Sequence, residues 1–273
     1  MDGNRSGRKV LLSDSVPVFI PFAEKSRDTT SVDQKGIKRD LAFSLKRFEL
    51  TNANLVNKER KADGSCAIAN INNATLTVNN FTNIETAQGL SFQLHASLDN
   101  KVPFNLELVF DYLKPQFSMV GSFEKFNFTD LNRLIGAYTP AKINRGIVDL
   151  IQFSGMVYQN NAKGTMKFLY HDLNIDLELK EMARWKSDTL AFAANVAVPS
   201  ANPVSADLPP KIVHYQVERN MNKSFVNIAI KSVLAGLKET VYMSKENRKA
   251  YNESKRRAKE SRRSKMAKQS HKN

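Results

Sequence analysis

The runs LSFQLHASL at Leu90–Leu98 and FNLELVFDY at Phe104–Tyr112 decide the fold. In the first, Leu90, Phe92, Leu94, Ala96 and Leu98 alternate with Ser91, Gln93, His95 and Ser97. In the second, Phe104, Leu106, Leu108, Phe110 and Tyr112 alternate with Asn105, Glu107 and Asp111. A period of two sends successive side chains to opposite faces, so each run reads as a strand with one apolar and one wet face. Asp99-Asn100 supplies a tight turn between them, and strands joined this closely pair antiparallel.

Working outward, the same alternation returns in Leu173, Ile175, Leu177 and Leu179 against Asn174, Asp176 and Glu178. Turn residues at Asp63-Gly64, Lys114-Pro115 and Asn160–Gly164 separate the runs. The strands expected are Leu41–Leu50, Ala67–Val78, Leu90–Leu98, Phe104–Tyr112, Phe117–Phe126, Ile147–Val157, Thr165–Tyr170, Leu173–Lys180 and Leu190–Val198. That number exceeds the usual open sheet of roughly 4–6 strands. The fold class is therefore mainly β, a long antiparallel sheet that must curve or fold over.

Two helices interrupt the strands. Thr129-Asp130 can cap a short one in which Leu131, Leu134 and Ile135 share a face, ended by Gly136 and Pro140. Residues 222–241 carry Phe225, Ile228, Ala229, Ser232, Val233, Gly236, Leu237 and Val241 at spacings of three and four, an amphipathic helix with small residues in its apolar stripe. Residues 1–40 read as a polar, poorly ordered leader, 41–243 as one β domain closed by that helix, and 244–273 as a mobile basic tail.

Charge supports this division. The 273 residues carry 41 Lys+Arg against 27 Asp+Glu, net +14, of which residues 244–273 hold 12 basic and 3 acidic. A nearly balanced body thus bears a cationic end. The single cysteine, Cys66, rules out an intramolecular disulfide framework and anchors no zinc motif. Val16–Phe22 is seven residues long with prolines at 17 and 21, far short of the ~20 apolar residues of a spanning helix. Neither a signal peptide nor a transmembrane helix is expected in this chain.

The sequence holds no phosphate loop, dinucleotide turn, nucleophile elbow or paired-histidine motif. His95, His171, His214 and His271 are scattered and read as solvated or locally bonded. The carboxylates Glu107 with Asp111, and Asp176 with Glu178, share outer strand faces and read as solubilising. No enzyme activity, cofactor or metal is expected.

The segment GSFEKFNFTDLNRLIGAYTPAKINRGIVDLIQFSGMVYQNNAKGTMKFLYHDLNIDLEL resembles the C-terminal region of the AsmA-like envelope proteins. The matching features are the aromatic-x-aromatic run Phe126–Phe128, the D-L-N-x-L-I helix Asp130–Ile135, the I-x-x-G strand Ile143–Gly146, the hairpin glycine Gly164 and the L-x-I-x-L strand Leu173–Leu177. The closing stretch ERNMNKSFVNIAIKSVLAGLKETV is similar to the terminal helix of the Bacteroidota branch, with Arg219, Lys223–Phe225 and Lys231–Lys238 at the matching positions. The resemblance implies an envelope protein on the periplasmic side of a membrane that serves outer-membrane maintenance, with a groove-like sheet that holds or conducts phospholipid and other envelope proteins as partners. Family members begin with a transmembrane helix and a long β region, so the chain looks like the C-terminal end of such a protein.

Three sets of residues then carry function. Phe92, Leu94, Leu98, Phe104, Leu106, Leu108, Phe110, Leu173, Ile175 and Leu177 form either a packed core face or an apolar groove for acyl chains. Phe225, Ile228, Val233 and Leu237 either cap the end of the sheet or bury in a lipid interface. Lys255, Arg256, Arg257, Arg262 and Arg263 meet an anionic membrane surface. The rival for this last set is nucleic-acid phosphate, and a β-rich interaction domain without its own activity is the other alternative.

Overall fold

The computed structural model describes residues 10–12, 42–61, 64–84, 88–139, 141–177, 198–242 and 244–270. Ten strands make one sheet: β1 (Val10–Leu12), β2 (Ser44–Arg60), β3 (Cys66–Thr82), β4 (Leu90–Leu98), β5 (Val102–Phe110), β6 (Phe117–Phe123), β7 (Phe126–Asn127), β8 (Ala141–Val157), β9 (Asn161–Leu177) and β10 (Ile212–Glu218). From β2 to β10 each strand pairs antiparallel with its neighbour, and short β7 continues β6 along β8. Among the described strands only β1 runs parallel to its neighbour, at Leu55–Asn57 of β2. The sheet is not closed into a barrel. Asp99 and Asn100 both take positive φ in the β4–β5 turn, which matches the twist of the strands they join.

Among the described residues three helices accompany the sheet: α1 (Asn132–Tyr138), entered through a 3-10 turn at Phe128–Leu131, α2 (Phe225–Val241) and α3 (Lys245–Ser270). The sheet is rolled around α2. Five residues after β10 ends at Glu218, the Lys223 ammonium donates to the Arg60 carbonyl oxygen at the end of β2, 2.8 Å away. Seven interstrand steps separate β2 from β10, roughly 34 Å on a flat sheet. Five extended residues and a lysine side chain reach only about 24 Å, so the two ends must curl toward each other.

The inner face of the roll is built in registered rows. Leu94, Leu106, Gly121, Phe153, Met166 and Val213 form one, and Phe92, Leu108, Met119, Gly155, Gly164 and Tyr215 the next. The glycines make room for their neighbours. A Cβ on Gly121 would strike the Phe153 ring, one on Gly155 would come within 2.7 Å of the Tyr215 hydroxyl, and one on Gly236 of α2 within 2.6 Å of the Met166 sulfur. Tyr215 lies across both Gly155 and Gly164, an aromatic ring filling the space two missing side chains leave. A ribbon of rings runs along this face, from Phe110 against Phe117 (4.6 Å) to Phe128 against Phe168 (5.4 Å) and Phe168 against Tyr170 (4.5 Å).

Several expectations need correction. The stretches Thr165–Tyr170 and Leu173–Lys180 are not two strands: β9 runs unbroken from 161 to 177, because Asp172 takes a positive φ and absorbs the irregularity as a bulge rather than a turn. Strands β2, β3 and β8 are each 17 residues, longer than their apolar runs, since polar residues such as Asn57 and Asn70 still join the ladder. β10 was not among the expected strands, although Val213, Tyr215 and Val217 alternate and are buried. The expected strand Leu190–Val198 lies outside the described residues except Val198, and of the leader only 10–12 is described, as β1. The basic tail is helical as α3 over 245–270, the solvated helix being one of the two forms its composition allows, since long unbranched Lys, Arg and Glu side chains favour helix.

Candidate functional site on the basic helix

The apolar face named from the sequence is core. Phe104, Leu108, Phe110 and Leu173 are buried, while Phe92, Leu94, Leu98, Leu106 and Ile175 are partly buried and packed against them. Leu177 ends β9, and its side chain lies outside the described residues. α2 occupies the concavity that an open groove would need. Its Phe225 meets Phe92 (6.4 Å) and Phe110 (6.1 Å), Ile228 and Leu237 are buried, and Val233 is half-buried against the same cluster. The helix lays its apolar stripe on β9 and β10, the last strands of the sheet, and reaches across the concave face to Phe92 and Phe110. An apolar cleft beside it, between Phe128, Ile135, Ile143, Ile175, Leu234 and Val241, is small, about 40 Å³.

A carboxylate closes the roll. Glu59, on β2 at the sheet's margin, accepts the Tyr138 hydroxyl of α1 at 2.7 Å and the Asn227 side-chain amide of α2 at 2.8 and 2.7 Å, with the Lys223 ammonium 3.6 Å away. Burial first, and then this carboxylate, push the Tyr138 phenol well above its ordinary pKa. At the other end of α2 the buried Lys211 ammonium donates to the Thr240 carbonyl oxygen at 3.3 Å, at the negative end of the helix dipole, and burial lowers its pKa. Glu59 gives no periodic signal in the sequence, so its role was not foreseen.

α3 is held at its root. The Asn247 side chain accepts the His214 backbone N–H at 2.7 Å and donates to the His214 carbonyl oxygen at 2.8 Å, pairing with the outer edge of β10 as a strand residue would. It also donates to Glu239 at 2.8 Å, whose carboxylate accepts the Ser244 N–H at 3.1 Å. Asn247 is the one buried residue of α3 among those described. Beyond it the helix carries its charges in water, over a total rise of about 39 Å.

Seven of the eleven cations of α3 share one side. At 100° per residue, Lys245, Arg248, Lys249, Lys255, Arg256, Lys259 and Arg263 fall within an arc of about 120°. Glu246, Glu253 and Glu260, each seven residues apart, line one margin of that arc, where Glu260 lies 3.7 Å from Arg256, and Asn247, Tyr251, Ser254, Ala258 and Ser261 fall on the far side, which Lys265 shares and Arg257 and Lys268 flank. Of the five cations named from the sequence, Lys255, Arg256 and Arg263 belong to the basic arc and are exposed. Arg257 lies beside the acidic line, and the side chain of Arg262 is outside the described residues. The sequence showed the charge but not its arrangement, which needs the helix to be known.

The outer face of the sheet bears a shallow trough of about 660 Å³ crossed by two polar rows, Gln93, Glu107, Val120, Ser154 and Thr165 beside His95, Asn105, Ser122, Gln152 and Lys167. Amides and hydroxyls predominate in these rows, with Glu107, His95 and Lys167 the titratable groups and Val120 an exposed apolar side chain among them. Among the described residues no group of three or more His, Cys, Asp or Glu could hold a metal ion, and no helix is long and apolar enough to cross a membrane. Fold and site together define a rolled antiparallel meander packed around its own helix, with a basic helical arm. No protein-family model, curated protein or solved structure matches the chain.

Proposed function

We propose that the chain is a non-catalytic protein of the cell envelope, as its AsmA-like resemblance implies, and that it meets anionic phospholipid through α3. The observation that carries this reading is the basic arc of α3 on a helix that is otherwise solvated. Each Lys or Arg near an anionic bilayer contributes about 1 kcal/mol, so seven on one side suffice for binding by charge alone. The reading assigns lipid contact to headgroups at α3 rather than to acyl chains within the sheet, because α2 already lies across the concave face.

The test is sedimentation of the full chain with phosphatidylcholine vesicles, with and without phosphatidylglycerol. Binding should require the anionic lipid, weaken as salt rises, and fall sharply when Lys255, Arg256, Lys259 and Arg263 are changed to Gln. Indifference to those changes, or retention on duplex DNA or RNA at a salt concentration that strips the chain from vesicles, would overturn it in favour of nucleic-acid phosphate.

A further inference from the structure

β2 is an edge strand of 17 residues, and β1, the one described strand on its outer side, covers only Leu55–Asn57. The stretch before it is open among the described residues and carries exposed apolar side chains, Leu45 at 43% and Phe48 at 45%. An open, partly apolar edge is a template for another strand. Asn52 takes a positive φ of 51°, which bends the edge and limits the straight portion to about residues 44–51.

We propose that two copies of this chain pair antiparallel along this edge, with a two-fold axis at Phe48. The choice of partner and register rests on charge. Arg47 and Glu49 flank Phe48 and are ion-paired to each other on the outer face. With the axis at Phe48, Arg47 of each copy stands opposite Glu49 of the other, Phe48 meets its own counterpart, and Leu45 faces Thr51. Centring on Lys46, Arg47 or Glu49 instead places a charge directly opposite its like, which destabilises a ladder. Centring on Leu50 leaves both charges without an opposite partner. The edge is thus self-complementary in one register, as a two-fold interface requires, and that register keeps the two inner faces on the same side of a continuous sheet.

The experiment is equilibrium sedimentation of the full chain, joined to cysteine trapping in a Cys66→Ser background. Wild type should show a concentration-dependent dimer. Arg47→Glu should weaken it at least about tenfold, the scale of a like-charge clash of ~1.4 kcal/mol, and Arg47→Glu combined with Glu49→Arg should restore it. Phe48→Cys should cross-link with itself on mild oxidation. Leu45→Cys should not, but should cross-link with chains carrying Thr51→Cys. Far-ultraviolet circular dichroism confirms that each variant is folded. A monomer at every concentration, a dimer unmoved by Arg47→Glu, or cross-linking without regard to position would each overturn the proposal.

Discussion

Replacing Gly164 by alanine tests whether the rolled sheet is packed as described. The new methyl would run into the Ser154 carbonyl oxygen on β8 and the Tyr215 hydroxyl, and would sit 2.6 Å from a Tyr215 ring carbon. The Ser154 oxygen is backbone in a paired strand and cannot withdraw without disturbing the β8–β9 ladder; the tyrosine is buried beneath α2. Overpacking of this kind costs about 1–3 kcal/mol, and a backbone obstacle puts it at the upper end. Reduced freedom of the unfolded chain returns about 0.4–1 kcal/mol, leaving a net loss near 2 kcal/mol and, in a chain of this size, a Tm lower by roughly 4–8 °C. Gly136 in α1 is the control: a Cβ there meets nothing within 4 Å, so Gly136→Ala should stabilise by about 0.5–1 kcal/mol through helix propensity. Urea unfolding followed by circular dichroism, with matched m-values, measures both. A Gly164→Ala variant as stable as wild type, or as benign as Gly136→Ala, would refute the packing of Tyr215 over the glycine pair.

Three further outcomes follow from the same contacts. Glu59→Ala should lower unfolding stability by about 2–4 kcal/mol in urea titration, because the buried Tyr138 and Asn227 side chains lose their acceptor. Burial raises the Tyr215 phenol to about 12 and lifts Tyr138 and Tyr170 further; the folded state then holds protons that the unfolded chain releases near pH 10, so stability should be level below pH 10 and fall above it. Tyr215→Phe should flatten that fall in alkaline melts. Asn247→Ala should leave the global melt within about 1–2 kcal/mol but speed amide hydrogen exchange at His214, which loses its acceptor on α3.

Alternation carried most of this fold. Wherever an apolar row was unbroken the strand and its inward face could be read directly, at Leu90–Leu98 to the residue and at Phe104–Tyr112 with the strand itself lying two residues earlier, at Val102–Phe110. Legibility failed where another interaction took over. Asp172 resembles a turn residue but serves as a bulge, and the asparagines of β2 and β3 extend strands that their hydropathy would end. The apolar stripe of α2 was plain, but what it packs against was not, because a stripe records that a face is buried and not by what. Glu59 could not be found, since its partners lie 79 and 168 residues away in sequence.

Those separations also order events in folding. α2 follows all ten described strands in the chain, so during synthesis the rings from Phe92 to Phe168 emerge before the helix that covers them. Until α2 arrives, the meander is a half-pipe with a wet outside and a bare aromatic lining, the kind of transient surface that invites aggregation or a chaperone. Closing it means joining β2 to α2 across most of the chain, a non-local contact of the sort that makes folding slow. A ribosome-bound chain ending before Phe225 should therefore be protease-sensitive and bind hydrophobic dyes, and the change to a resistant state should coincide with release of α2.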